Sequence, residues 1–290
     1  MKILIIGSYG FLGTNLLNKL GSNVNYEIYV LIKKTSKSRQ KNLNHHQVFY
    51  YEDLEGDKSL FNNKFDAIID CSVCYGRKEK SSEVYITNFI NPLKIIEYSI
   101  NNTGLYIGFD SYYSKKEFQN MEYLNHYTKS KSFFINSIKN LKNIKYINLQ
   151  LEHLYGPFDS ESKFIPSIIN KIKSNQKTID LTSGKQKRDF VYVEDVLTLI
   201  EKILMNQSKV NFGVSSYNVG TGKTISIEEF LKKIKKTLKS SSQLKFGKLE
   251  NLKGDFHTSK ANISKLQEDF NWTPKFTFEQ GINEILKKIK

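Results

Sequence analysis

Lys2-Ile3-Leu4-Ile5-Ile6-Gly7-Ser8-Tyr9-Gly10-Phe11-Leu12-Gly13 opens the chain with a short β-branched run, breaks it at three glycines and passes directly into leucines at helical spacing, Leu12, Leu16, Leu17 and Leu20. Strand, glycine turn, helix is the order that a dinucleotide site requires. The glycines let the backbone turn tightly and approach a pyrophosphate, whose charge is favoured at the N-terminus of the helix that follows. Gly7, Tyr9, Gly10, Phe11, Leu12 and Gly13 are therefore the candidate cofactor contacts of this turn. The expected fold is α/β, a Rossmann-like doubly wound parallel sheet of about seven strands.

Working outward, the second strand is predicted over residues 27–32. A site for NAD usually ends this strand in an acid that holds the ribose 2′-hydroxyl, whereas a basic residue accommodates a 2′-phosphate. Here it ends in Ile32-Lys33-Lys34-Thr35-Ser36. Lys33 is thus a candidate contact to NADP(H), and NADPH is the expected cofactor, with NADH or NAD as the alternative. The third strand, around Val48 to Tyr51, leads to Glu52-Asp53-Leu54, where Asp53 could meet the adenine amino group or simply be a solvated turn carboxylate, and Leu54 would lie beside it. The fourth, Ala67 to Asp70, delivers Cys71-Ser72-Val73-Cys74-Tyr75-Gly76-Arg77 to the carboxyl edge of the sheet, where ligands sit in open α/β folds. Cys71 and Ser72 are candidate cofactor contacts there. Arg77 is a candidate for a substrate anion, against solvation of a loop.

The lone Cys71-x-x-Cys74 pair has no second pair to complete a zinc site, and it reads as small residues at a strand end; no metal is expected. A helix containing Val84, Asn88, Leu93, Ile96 and Ile100 follows, with a bend expected at Pro92. The fifth strand, Leu105 to Gly108, then brings Phe109-Asp110-Ser111 to the same edge, and Ser111 is placed to hydrogen-bond a substrate carbonyl.

Next comes Tyr127-Thr128-Lys129-Ser130-Lys131. Positions four apart share a helix face, so the Tyr127 phenol and the Lys131 ammonium can stand side by side. A cation there would favour the phenolate and bring a tyrosine towards the working range for proton transfer. Tyr and Lys at this spacing also arise by chance in a lysine-rich chain; it is the company of the preceding segments that gives the pair meaning.

The 290 residues, 39% of them apolar and 13% aromatic, suffice for one large or two modest domains with a real core. The 44 basic against 29 acidic residues leave a formal charge of +15. Only Arg39, Arg77 and Arg188 are arginines, and the lysines are scattered, so the charge reads as a composition bias and not as a nucleic-acid surface, though it would draw in an anionic substrate. No long apolar segment marks a signal peptide or membrane span, and the expectation is a cytoplasmic protein without a membrane or nucleic-acid partner.

Taken together, these segments resemble the extended short-chain dehydrogenases/reductases that act on nucleotide sugars: epimerases, dehydratases and reductases. The resemblance rests on Gly7, Gly10 and Gly13, Asp53-Leu54, Asn88, Ser111 with Tyr127 and Lys131, Leu154-Tyr155-Gly156-Pro157, Lys187-Arg188-Asp189-Phe190-Val191-Tyr192-Val193-Glu194-Asp195-Val196, Tyr217-Asn218-Val219-Gly220-Thr221-Gly222 and Trp272-Thr273-Pro274-Lys275. It covers nearly the whole chain. Within the group, Cys74-Tyr75-Gly76-Arg77 and Leu151-Glu152-His153-Leu154-Tyr155-Gly156-Pro157 are most similar to reductases of CDP- and dTDP-linked 4-keto sugars.

The resemblance implies that Tyr127 gives a proton to the sugar C4 oxygen, Lys131 binds the nicotinamide ribose and lowers the tyrosine pKa, and Ser111 polarises the carbonyl. It further implies that Arg188 grips the substrate diphosphate, that His153 lies near the substrate, and that Lys253 is a second phosphate contact. For Arg188 the plain alternative is an ion pair with Asp189 or Glu194. The implied domains are 1–156 with 190–215 for NADP(H) and 157–189 with 216–290 for the nucleotide sugar, in a homodimer built on the helices beginning near Val84 and Asn125. Ser111 is followed by Tyr112-Tyr113 and not by the acid pair of the 4,6-dehydratases, which leaves no group for an elimination. A 4-epimerase with tightly held NAD, and a non-catalytic dinucleotide sensor or RNA binder, are the remaining alternatives.

Overall fold

The computed structural model describes residues 1–35, 46–115, 124–251 and 257–288. The chain divides into two compact units, Met1–Gln150 with Ile200–Tyr217, and Leu151–Leu199 with Asn218–Lys290.

The first unit is built on a seven-stranded sheet. Strand β1 (Lys2–Ile6) lies between β2 (Glu27–Ile32) and β4 (Ala67–Asp70); β3 (Gln47–Tyr50), β5 (Tyr106–Ser111), β6 (Lys145–Leu151) and β11 (Gly213–Val219) complete the order β11-β6-β5-β4-β1-β2-β3. The pairings from β3 through β5 are parallel. Strands covered on both faces read as continuous apolar runs, as β1 and β2 do. Leu4 and Ile6 of β1 join Leu31, Ile68, Ile96 and Phe134 in one core. Helix α1 (Phe11–Leu20) buries Leu12, Leu16, Leu17 and Leu20, as its spacing requires.

Two elements differ from expectation. Strand β5 runs on to Ser111, so Phe109, Asp110 and Ser111 are strand residues. The long helix after β4 is α2 (Ser81–Tyr85), a π-helical turn (Ile86–Ile90) and α3 (Asn91–Ser99), with Pro92 at the start of α3, where a missing N–H is tolerated. The irregularity therefore lies before Pro92. It falls at Asn88, whose side chain is committed elsewhere. Helix α4 (Asn125–Ile138) carries Tyr127 and Lys131 on its buried face.

The second unit holds short, long-range pairings: β7 (His153–Tyr155) with β10 (Phe190–Tyr192), β8 (Thr178–Asp180) with β13 (Gln243–Lys245), and β9 (Lys187–Arg188) antiparallel to β12 (Ile225–Ser226). Around them lie α5 (Phe164–Lys173), α7 (Ile227–Thr237), α8 (Ser264–Phe270) and α9 (Phe278–Lys288), while α6 (Val193–Met205) runs across the boundary between the units. Residues 151–156 and 190–199, expected with the first domain, belong here. The reason is local: His153 pairs with Phe190, and the Asp195 carboxylate accepts the N–H groups of Lys275 and Phe276 beneath buried Trp272.

Candidate active site

Gly7 ends β1 with φ +73°, a conformation that a side chain resists. A Cβ on it would stand 2.8 Å from the Ser72 nitrogen, so the glycine turn and the end of β4 are in backbone contact. At Gly13 a Cβ would run into the Gly7 backbone and 2.8 Å from Ser8 Cα. The turn is closed by Gly10 N–H donating to Gly7 O (3.0 Å) and fastened by Thr14 Oγ1 donating to Ser8 O (3.1 Å). Gly10 caps α1 without a side-chain acceptor. The Ser8 and Tyr9 hydroxyls are buried without a partner among the described residues. Uncapped helix amides, hydroxyls without a partner among the described residues and a turn too tight for a Cβ at Gly7 or Gly13 are what close approach to a dinucleotide pyrophosphate needs, and these residues fit it.

At the far end of β2, Lys33 is exposed, while Lys34 is occupied: its ammonium pairs with Asp53 and its N–H donates to both oxygens of Glu52 at 3.0 and 3.1 Å. Asp53, read as either a contact to the adenine amino group or a solvated turn carboxylate, pairs with Lys34, because the 3₁₀ turn Tyr51–Asp53 brings it beside the end of β2. Leu54 is buried at the edge of a cavity of about 380 Å³ shared with Lys33, Tyr51, Asn91 and Ile95.

Tyr127 and Lys131 are both buried on α4, as their spacing predicts. The phenol is held well above the ordinary tyrosine range, first by burial, then by Tyr75 and Asp110, with Tyr113 adding to the shift and the Ser111 hydroxyl opposing it. The expected lowering by Lys131 is not what sets it. The Lys131 ammonium faces the Asp70 and Asp110 carboxylates at the ends of β4 and β5; burial pushes the lysine down and both carboxyls up against their mutual attraction. Asp70 also accepts Ser72 N–H (2.8 Å), and Asp110 accepts Ser111 N–H (2.7 Å) and Ser114 Oγ (2.6 Å). Burying such ions costs on the order of several kcal/mol each, so a stability role is a poor reason for the cluster. Among the described residues, no group of His, Cys, Asp and Glu could hold a metal ion.

Arg77 is exposed and lies with its guanidinium 5.4 Å from the Tyr75 ring centre. In the second unit Arg188 is buried on β9, and its Nη1 donates to Lys187 O at 2.9 Å. Asp189 beside it is fully committed: it accepts Thr221 N (2.8 Å), Thr221 Oγ1 (2.6 Å), Gly222 N (2.9 Å) and Ala261 N (3.1 Å). That carboxylate is a buried clamp on the 221–222 and 261 segments. His153 N–H donates to Asp189 O (3.0 Å), and its ring meets Phe190 edge-on, so His153 on β7 is registered with Phe190 on β10, two residues after Arg188. Lys253 lies outside the described residues.

Three participants escaped the sequence: Asp70 and Asp110, which flank Lys131, and Tyr75, which packs on Tyr127. Their positions at strand ends were legible; their partners, 60 and more residues away for Asp70, were not.

A seven-stranded sheet with a glycine turn at its carboxyl edge and a Ser-Tyr-Lys set on β5 and α4 defines the class of short-chain dehydrogenases/reductases. Residues 3–220 match the model of the NAD dependent epimerase/dehydratase family, and the chain belongs to that family. It is 30% identical over 296 residues to CDP-abequose synthase of Salmonella typhimurium, covering 99% of this chain and 98% of that protein. It is 31% identical over 293 residues to CDP-abequose synthase of Salmonella muenchen, with 98% and 97% covered. Among solved structures, UDP-glucose 4-epimerase of Thermotoga maritima, determined with UDP-glucose, superposes with a TM-score of 0.83 over the whole of both chains at 21% identity, a likeness of fold.

Proposed function

We propose that the protein is a reductase that uses NADPH to convert the 4-keto group of a nucleotide-diphosphate-linked deoxy sugar to an alcohol, for a surface polysaccharide. The observation that carries this reading is the end-to-end similarity to two CDP-abequose synthases at 30 and 31% identity. CDP is accordingly the favoured nucleotide.

When bound, the nicotinamide supplies the hydride. Tyr127 gives a proton to O4 as that oxygen gains charge. Burial holds the phenol above its ordinary range, so it carries its proton at neutral pH, and Tyr127 is the group beside Ser111 that has a proton to give. Ser111, which faces the phenol, polarises the carbonyl, and Lys131, balanced by Asp70 and Asp110, holds the ribose of the cofactor. The Gly7–Gly13 turn, with Ser8 and Tyr9, holds the pyrophosphate, Cys71 and Ser72 border it, and exposed Lys33 meets the 2′-phosphate. Arg77 stands at the substrate side of the first unit; Arg188 and His153 are the diphosphate and sugar contacts of the second, where a guanidinium fits phosphate oxygens in pairs.

The exposed Ile86, Ile90 and Phe133, beside Tyr85 and Phe89, support a homodimer through α4 and the π-helical turn. No described helix is long and apolar enough to cross a membrane, and we place the activity in the cytoplasm.

The test is absorbance of reduced nicotinamide with a panel of CDP- and dTDP-linked 4-keto sugars. Stoichiometric loss of NADPH with one of them, abolished in Tyr127→Phe, is expected. Equal rates in wild type and Tyr127→Phe would remove the assignment.

A further inference from the structure

The loop after β4 is built more heavily than a connection needs. Cys74 N–H donates to Asn88 Oδ1 at 2.9 Å, and Asn88 Nδ2 donates back to Cys74 O at 2.7 Å, so one buried amide fixes both backbone groups of a single loop residue. The same Nδ2 reaches Ser130 Oγ on α4 at 3.1 Å, and Ser130 Oγ donates to Tyr127 O at 2.7 Å. The loop is thereby bolted to the helix within one turn of Tyr127. Gly76 then turns the chain with φ +70°, where a Cβ would come within 2.7 Å of Val84 Cγ2. This turn lays Tyr75 against Tyr127, with ring centres 5.1 Å apart and planes at 35°, and brings the Arg77 guanidinium to 5.4 Å from the centre of the Tyr75 ring.

We propose that Tyr75 is a positioning residue for the reaction: its ring is the wall on which the Tyr127 ring rests, and the stack Arg77, Tyr75, Tyr127, bolted by Asn88, fixes the direction in which the phenol delivers its proton and keeps water from that face. This rests on Tyr127 being the proton donor. Aromatic rings prefer offset or tilted contacts of this spacing, and a cation over the ring is attracted to it and helps hold it in place. A phenol has one soft torsion at its ring and one at Cβ, so a wall on one face restricts its aim, and misplacing a reacting group by about 1 Å costs on the order of 100-fold in rate. The titratable and charged groups facing the phenol are Tyr75 from this loop, Asp110 from β5 and Tyr113 from the turn after it, with Lys131 on its own helix turned to Asp70 and Asp110 and Arg77 beyond Tyr75.

The test compares Tyr75→Ala, Tyr75→Leu, Tyr75→Phe and Tyr127→Phe in the full chain, by steady-state reduction across pH with folding checked by circular dichroism. Tyr75→Ala is expected to lower kcat on the order of 100-fold while KM for NADPH stays within about twofold. Tyr75→Leu, which keeps bulk without a ring, should lose nearly as much and serves if the alanine variant does not fold. Tyr75→Phe restores the wall and should recover most of the rate. It removes the hydroxyl that raises the Tyr127 pKa, so the alkaline limb of its kcat profile should move to lower pH. Folded leucine or alanine variants with wild-type kcat and an unmoved limb in Tyr75→Phe, alongside an inactive Tyr127→Phe, overturn the positioning role and leave the reductase standing. A Tyr127→Phe as active as wild type removes the reductase reading itself.

Discussion

Lys33 and Lys34 are neighbours with different fates, and the proposed preference for NADPH turns on that difference. Lys34 is neutralised by Asp53 and carries Glu52 on its N–H, while Lys33 is exposed at the end of β2. Contacts to a charged group are worth about 1.5–3 kcal/mol, and each 1.4 kcal/mol is tenfold in affinity. Lys33→Glu should therefore raise the KM for NADPH about tenfold or more and lower that for NADH, as read from initial rates with each; unchanged preference would locate the selectivity elsewhere. The absence of an acid after Ile32 was visible in the sequence. That Asp53 would be spent on Lys34 was not, since it depends on two segments 19 residues apart meeting. In the same way the four-residue spacing placed Tyr127 and Lys131 on one buried face, but which charge bears on which depended on Asp70 and Asp110, delivered by two separate strands.

The glycine turn is the element on which dinucleotide binding depends in the proposed reading. Gly13 lies where α1 crosses the Gly7 backbone, and any Cβ there must displace the helix from the turn. Gly13→Ala is expected to lose NADPH binding by fluorescence titration and to destabilise the fold by about 1–3 kcal/mol, the usual range for overpacking. Wild-type affinity would mean that the turn is not the pyrophosphate cradle. Strands β1, β2 and β4 were legible to the residue, because apolar runs covered on both faces leave a plain signal. The π-helical turn at Ile86–Ile90 was not, since a shift in backbone pairing leaves no mark in residue type, and the bend was ascribed to Pro92. Nor were the two- and three-residue strands of the second unit, such as Thr178 registered on Gln243, whose partners lie far along the chain.

At the scale of the whole molecule, Ile86, Ile90 and Phe133 are exposed apolar side chains on neighbouring elements, which the proposed homodimer would cover. Phe133→Glu would bury an unpaired charge in that contact, so sedimentation is expected to show a dimer for wild type and a monomer for the variant; monomers for both would refute the interface. The central claim is that hydride moves from NADPH to C4 of a nucleotide-linked keto sugar and stays there. It is tested most directly with NADPH deuterated at C4 of the nicotinamide, in each stereochemical form, and a CDP-linked 4-keto deoxy sugar, reading the label by NMR. Deuterium at sugar C4 from one of the two forms, with one NADPH oxidised per sugar, is the predicted result. A sugar inverted at C4 from a CDP-linked alcohol, without label and without net loss of NADPH, would contradict the account and make the protein an epimerase.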